Sequence, residues 1–122
     1  MEFLKKDAIY LQIADLICER ILTREWGEGE KIPSVREMAV LTEVNPNTVM
    51  RAYAHLQEKE IISNKRGIGY FVAPSAHETT RASMKSSFIK NELPHVLKTM
   101  TLLDMDLKEF QALFEDYREK NP

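Results

Sequence analysis

The feature that most constrains the fold of this chain is the short segment Asn45-Pro46-Asn47-Thr48. The Asn45 side chain can accept a hydrogen bond from a free backbone N–H of a first helical turn. Pro46 would then occupy the first helical position, where its missing N–H costs nothing. The residues that follow place one apolar face at helical spacing: Val49, Ala52, Tyr53 and Leu56. The opposite face carries Asn47 and Arg51, and short polar groups near a helix N-terminus suit phosphates and base edges in a DNA major groove. We therefore predict a recognition helix capped by Asn45.

A second, shorter helix is predicted immediately upstream. The motif Ser34-Val35-Arg36-Glu37 has the pattern of a capping box, in which the Ser34 hydroxyl caps the first turn and the Glu37 carboxylate reaches back to the Ser34 N–H. This helix should run to about residue 41, and four of its residues are available for burial: Val35, Met38, Ala39 and Leu41. Residues 42–44 then form a turn, and two short helices joined by such a turn make a helix-turn-helix unit.

A β-hairpin is predicted directly after the recognition helix. Residues 61–64 and 70–72 are β-prone and enclose a glycine-containing loop, which is typical of a hairpin. A hairpin in this position is a wing, and Lys65, Arg66 and Gly67 would lie at its tip. Residues 31–32 are expected to add a short strand that closes the small wing sheet.

Residues 31–72, KIPSVREMAVLTEVNPNTVMRAYAHLQEKEIISNKRGIGYFV, resemble the winged helix-turn-helix domain of the GntR family of bacterial transcription regulators. With Ile9-Tyr10-Leu11-Gln12-Ile13 as the match to the first helix, the resemblance covers residues 8–73. The Asn-Pro-Asn-Thr-Val run and the short tail resemble the YtrA-type branch, which lacks a large effector domain. The resemblance implies a transcription regulator, a repressor, that binds an operator in duplex DNA as a homodimer.

The resemblance also implies which residues contact DNA. Met50 and Pro46 depart from the family pattern, because many relatives place base-contacting or polar residues there, and no contact is carried over to these two positions. The candidate DNA-binding residues are Ser34, Arg36, Asn45, Asn47, Thr48, Arg51, Lys65, Arg66 and Gly67.

The distribution of charge agrees with this assignment better than the total does. The chain has 122 residues and a formal net charge of −2, whereas residues 31–72 alone carry a net charge of +2. A local cationic excess on the predicted DNA-binding segment is the expected footprint of a nucleic-acid partner. The length allows one small globular domain with an appendage and excludes a second full domain.

The C-terminal part is predicted to form two helices. Pro74 and Ser75 end the wing strand, so we assign residues 1–74 to the winged-helix domain and residues 75–122 to a helical tail. Apolar residues recur at helical spacing from about residue 77 to 101, and Pro94 predicts a kink or break near residues 91–93. The motif Asp106-Leu107-Lys108-Glu109 has the capping-box pattern and should open a helix that runs to about residue 119.

This two-helix tail is too short to bury enough apolar surface by itself. It can fold back onto its own winged helix or pack against the same hairpin of a second chain, and we favour the second arrangement. The expected fold class is therefore mainly α with a small β-wing, a winged helix-turn-helix domain followed by a C-terminal two-helix dimerisation hairpin. The predicted interface residues are Phe88, Ile89, Leu93, Leu97, Phe110, Leu113, Phe114 and Tyr117.

No catalytic or metal-binding pattern is recognisable. His55, His77 and His95 are far apart and form no His-x₃-His spacing, so we expect neither enzyme activity nor a bound metal or cofactor. Cys18 is the only cysteine, which excludes an internal disulfide and fits the reducing cytoplasm. No stretch has the apolar length of a membrane span, and residues 1–7 lack the apolar core of a signal peptide.

Two interpretations of the whole chain stay open at this stage. The first is a homodimeric regulator that binds an inverted-repeat operator, and the second is a winged-helix protein–protein interaction module with no DNA role. An interaction module would more often carry aromatic residues on the surface of the recognition helix and wing tip, where this chain carries polar and cationic ones, so we favour the first. The operator sequence and any small-molecule effector are left open.

Overall fold

The computed structural model describes residues 7–122, and the predicted N-terminal lead-in lies outside the described residues apart from Asp7. The chain is mainly helical with a two-stranded antiparallel sheet, as predicted. Its elements are α1 (Ile9–Leu22), α2 (Val35–Thr42), α3 (Pro46–Glu58), β1 (Ile62–Lys65), β2 (Gly69–Val72), α4 (Ala76–Ser87), α5 (Leu93–Leu102) and α6 (Leu107–Lys120). A five-residue π-helix, Phe88–Glu92, joins α4 to α5.

The chain divides into two compact units within α4. The first, which we call the winged-helix unit, ends at Ser83, and the second, the tail unit, covers Met84–Pro122. The winged-helix unit extends past the end of the wing, because Ala76 and Thr80 of α4 are fully buried. The His77 ring also lies in this unit, with Nε2 3.2 Å from the Leu22 carbonyl oxygen.

Local capping explains where the two helices of the helix-turn-helix begin. At α2 the capping box is complete: the Glu37 N–H donates to Ser34 Oγ at 3.1 Å, and the Ser34 N–H donates to Glu37 Oε1 at 3.0 Å. At α3 the Asn47 N–H donates to Asn45 Oδ1 at 2.8 Å, and a proline occupies the first turn. The intervening turn is tight because Glu43 takes a left-handed conformation with φ 55°.

The core of the winged-helix unit is formed by α1, α3 and the sheet. The predicted buried face of α3 is confirmed, and it packs with apolar residues from α1 and β1: Ile13, Ile17, Ile21, Val49, Ala52, Tyr53, Leu56 and Ile62. The prediction that Leu41 is buried is wrong, since its side chain is 70% exposed. Helix α2 buries Met38 and Ala39 instead, and Leu41 lies about 200° around the helix from Ala39.

The wing is a hairpin with a short third strand. Ile62 pairs with Val72 and Lys65 with Gly69, and an isolated bridge between Lys31 and Phe71 confirms the predicted strand at residues 31–32. Gly69 has φ +141°, and a Cβ at this position would lie 2.9 Å from Lys31 Cε. Glycine therefore allows the bridge strand to approach the end of the hairpin.

The tail unit shows how the helix accommodates Pro94. The Leu93 N–H bonds to the carbonyl of Phe88, five residues earlier, so the predicted disturbance is a π-helical segment that ends where α5 begins. Pro94 then lies in the first turn of α5, where the absence of an N–H is tolerated. Asp106 caps α6, with the Glu109 N–H donating to Asp106 Oδ1 at 2.8 Å.

Tyr53 provides a test of the packing between α3 and its surroundings. Its hydroxyl donates to the Pro33 carbonyl oxygen at 2.6 Å, and its ring meets the Tyr70 ring edge-on at 4.8 Å. Tyr53→Phe should lower the free energy of unfolding by about 0.5–1.5 kcal/mol in urea denaturation, because the hydrogen bond is lost and the ring packing is retained. Tyr70→Phe is the matched control, since the Tyr70 hydroxyl bonds to no residue in 7–122. Equal losses in the two variants would contradict this assignment.

Candidate nucleic-acid interface

The predicted DNA-binding residues of the helices lie at the beginnings of α2 and α3. Arg36 is exposed in the first turn of α2, and Asn47 is exposed in the first turn of α3, with Thr48 half-buried beside it. Helix N-termini carry free N–H groups and a partial positive charge, which favour an anionic partner. The arrangement therefore presents two helix starts and a cationic side chain that the fold itself does not use.

Two of the predicted contact residues also have a structural role. The side-chain oxygens of Ser34 and Asn45 accept the capping hydrogen bonds of α2 and α3. The Ser34 hydroxyl proton and the Asn45 amide nitrogen are not used by these bonds and stay available as donors. Substitution of either residue would therefore change helix stability as well as any contact with DNA.

The wing tip carries a second cationic group. Gly67 has φ +79° in the turn, and the Ile68 N–H closes that turn on the Lys65 carbonyl oxygen at 2.9 Å. Arg66 is exposed, and Lys65 Nζ lies 4.4 Å from the centroid of the Phe71 ring. Ile68 is also exposed, so the tip combines two cations with one apolar side chain.

Arg51 is held by a residue to which the sequence analysis gave no binding role. Its guanidinium carbon lies 4.0 Å from the centroid of the Tyr10 ring, and Tyr10 belongs to α1. His55, one turn further along α3, meets the same ring edge-on at 6.0 Å. The contact joins residues far apart in sequence, so no local pattern could have indicated it.

The cationic set, which we define as Arg36, Arg51, Lys65 and Arg66, is not neutralised within the described chain. None of these four residues forms an ion pair with any residue in 7–122. The ion pairs that do form between described residues join Arg20 to Glu25, Arg81 to Glu78 and Lys120 to Asp116. The cations of the recognition helices and wing are thus free to neutralise phosphates.

Other chemistry finds no support in the described part of the chain. No group of three or more His, Cys, Asp or Glu side chains within residues 7–122 could hold a metal ion. Cys18 is buried, and burial raises the pKa of its thiol to about 11, so the group stays protonated and packs as a small apolar side chain. Among residues 7–122, no helix is both long enough and apolar enough to cross a membrane.

The comparison with known proteins decides the family. The sequence model described as "Bacterial regulatory proteins, gntR family" matches residues 9–72. The chain belongs to the GntR family. It is a DNA-binding transcription regulator and not an enzyme, and the winged-helix prediction is confirmed.

The relatives of this GntR regulator match nearly its whole length. It is 38% identical to the HTH-type transcriptional regulator YhcF of Bacillus subtilis over 97% of this chain and 96% of that protein. It is also 38% identical to the HTH-type transcriptional repressor YtrA of the same organism, over 73% of this chain and 68% of that protein. The crystal structure of a GntR-family regulator from Bacteroides thetaiotaomicron has a TM-score of 0.74 and 43% identity, and the alignment covers 94% of this chain and 100% of that one. The resemblance to the short YtrA-type branch is therefore confirmed.

The capping box at the start of α2 should make stability depend on pH. Hydrogen bonds from Ser34, first from its backbone N–H, lower the pKa of Glu37 from its ordinary value of 4.5. A carboxylate with a lowered pKa in the folded state contributes stability above about pH 4.5, and that contribution is lost as the pH falls through the folded-state value. Glu37→Gln keeps a side chain that can complete the box but removes the titration, so its stability should fall less on acidification.

Urea denaturation at neutral pH and at about pH 3 measures this difference, since both values lie outside the titration window of a perturbed carboxyl group. Glu58→Gln is the matched control, because Glu58 closes the last turn of α3 and caps no helix start. If Glu37→Gln and the wild type lose equal stability on acidification, the capping carboxylate is not the source of the pH dependence.

Proposed function

We propose that this GntR regulator is a cytoplasmic, homodimeric transcriptional repressor that binds an inverted-repeat operator in duplex DNA. The observation that carries the proposal is the unpaired cationic set, which lies on α2, α3 and the wing tip of one unit. Cations that make no intramolecular ion pair contribute little to folding, and they release counterions when they meet a phosphate backbone.

The geometry supports a specific division of work among these residues. In our proposal α3 enters the major groove, where Asn47 and the first turn approach base edges. Arg36 at the start of α2 makes a bidentate contact, because a guanidinium presents paired donors that a guanine edge or a phosphate can accept. Lys65 and Arg66 contact the phosphate backbone beside the groove and orient the protein without reading sequence.

A second copy is needed to complete the tail unit. No residue of α5 or α6 is buried in the single chain. Large apolar side chains are exposed along both helices: Val96, Leu97, Leu102, Leu103, Leu107, Phe110, Leu113, Phe114 and Tyr117. We propose that the predicted interface residues, among them Phe88, Ile89, Leu93 and Leu97 with their partners on α6, pack against the same residues of a second chain.

Dimerisation and repression follow from this arrangement. A two-fold axis between two tail units relates two recognition helices, so each dimer would bind two half-sites of opposite orientation. The relative YtrA of B. subtilis is a transcriptional repressor, and we extend that activity to this chain because the likeness reaches beyond the DNA-binding domain. A dimer bound to an operator would exclude other proteins from the same DNA.

Arg36 offers a test of specific DNA recognition. We expect Arg36→Ala to cost about 1–3 kcal/mol of binding free energy per half-site, measured by titration with a duplex that wild-type protein selects from a random pool. Thermal unfolding should be unchanged, since Arg36 pairs with no described residue. Arg36→Lys keeps the charge and loses the fork, so it should not restore selectivity over random duplex. Unchanged affinity in Arg36→Ala would remove this residue from the interface.

Leu113 offers a test of assembly. Leu113 lies with Phe110 and Phe114 on the apolar face of α6, where the two Phe rings stack at 6.2 Å, and Ala112 lies on the other side of the helix. In sedimentation equilibrium the wild type and Ala112→Glu should be dimers, and Leu113→Glu should be a monomer because a buried, unpaired carboxylate is costly. DNA selected by the dimer should contain an inverted repeat with half-site centres about one helical turn, roughly 34 Å, apart. A monomeric wild type, or a dimeric Leu113→Glu, would contradict the proposed interface.

A further inference from the structure

One cation of the proposed interface is already restrained in the free protein. The Arg51 guanidinium carbon is 4.0 Å from the centroid of the Tyr10 ring. This contact is closer than the other guanidinium–ring contacts of the described chain, Arg20 with Trp26 at 5.6 Å and Arg118 with Phe114 at 5.8 Å. A guanidinium on the face of an aromatic ring is attracted by the negative charge of that face, so Arg51 has a preferred position on α1.

The contact restrains Arg51 without using its hydrogen-bond donors. A guanidinium that stacks on a ring keeps its N–H groups in its own plane, where they can donate to another partner. Arg51 is exposed and forms no ion pair with any residue in 7–122. Its charge and its donors are therefore both available to a phosphate, whereas a carboxylate partner would have neutralised them.

His55 supports the same ring from its edge. The His55 and Tyr10 rings are 6.0 Å apart in an edge-to-face arrangement, and Tyr10 is half-buried between α1 and α3. Burial, followed by the nearby Lys59, lowers the pKa of His55. The imidazole is thus neutral near pH 7, and no second full positive charge competes with Arg51 for the ring.

The direction in which Arg51 leans indicates the kind of DNA group that it can meet. Gln57 of α3 lines a groove with Ser63 and Asn64 of β1, which marks the side of α3 that faces the wing. Arg51 leans towards α1 instead, away from the wing side and from the centre of the outer face of α3. If α3 occupies the major groove, a side chain at its flank lies beside the phosphate backbone that borders the groove.

We propose that Tyr10 is a positioning residue for DNA binding, which holds the Arg51 guanidinium on α1 so that its N–H groups donate to a backbone phosphate. This inference rests on the proposed function, namely that α3 binds duplex DNA. Part of the rotamer freedom of Arg51 is then lost during folding and not during binding, which favours the complex. A phosphate contact acts on any sequence, so a random duplex is sufficient as a probe.

The test is the salt dependence of binding of the full-length chain to a random-sequence duplex. We expect Tyr10→Leu to weaken binding several-fold at low salt and to lower the slope of log K against log salt by up to about 0.9 per subunit, the value for one phosphate contact. Tyr10→Phe keeps an aromatic face and should restore the slope that Tyr10→Leu loses. Arg51→Ala should reproduce the Tyr10→Leu slope, and the double variant should bind no worse than Arg51→Ala alone.

Arg20→Ala is the matched control, because it removes an arginine that also stacks on a ring but belongs to an ion pair with Glu25 outside the interface. Its slope should equal that of the wild type. If Tyr10→Leu lowers only the melting temperature and leaves the slope unchanged, or if its effect adds to that of Arg51→Ala, Tyr10 has a packing role alone and the proposal is overturned. If Arg51→Ala weakens binding without changing the slope, Arg51 contacts no phosphate and the proposal is likewise overturned.

A further variant separates this inference from the proposed function. Lys65→Ala/Arg66→Ala removes two wing-tip cations and should lower the slope by one to two phosphate contacts, about 0.9 each per subunit. If this variant lowers the slope and Tyr10→Leu does not, the interface stands and only the role of Tyr10 is overturned. If neither variant changes the slope, the proposed DNA surface is wrong, and the inference that rests on it fails as well.

Discussion

The winged-helix unit depends on one buried side chain, Tyr53 of α3. Its hydroxyl donates to the Pro33 carbonyl oxygen at 2.6 Å, which ties α3 to the residue that precedes the cap of α2, and its ring meets Tyr70 of the wing. Burial raises the pKa of Tyr53, so the hydroxyl keeps the proton that this bond requires. The position of the recognition helix relative to α2 and to the wing therefore follows from contacts of a single residue that water does not reach.

The unit separates the residues that stabilise the fold from those that can bind DNA. Apolar burial on α1, α3 and the sheet supplies the stability, and the caps at Ser34 and Asn45 satisfy the free N–H groups of the helix starts. The cations at Arg36, Lys65 and Arg66 take no part in either. Arg51 is intermediate, because its aromatic contact with α1 orients it while its charge stays unpaired. Such a division allows the DNA-binding surface to change without loss of the fold.

The tail unit has the opposite character. Its helices are well formed, with Pro94 accommodated by a π-helical segment and α6 capped by Asp106, but neither α5 nor α6 buries a residue in the single chain. Short helices gain most of their stability from tertiary packing and little from intrinsic propensity. An exposed apolar face on two capped helices is therefore the physical reason for proposing a second copy as the partner, and the same pairing would give the two-fold symmetry that an inverted repeat requires.

The sequence by itself determined the elements whose causes are local. Asn45 with Pro46, and Ser34 with Glu37, specify two helix starts through bonds that span at most three residues, and the hairpin follows from β-prone runs around Gly67. The family could be inferred as well, because its motif lies within one continuous stretch. Tertiary structure alone decided that Leu41 faces solvent, that Ala76 and Thr80 belong to the core of the first unit, and that Tyr10 holds Arg51. These outcomes depend on how α1, α2 and α3 are oriented around one another, and residues that lie far apart in the chain acquire such contacts only when the whole core has packed.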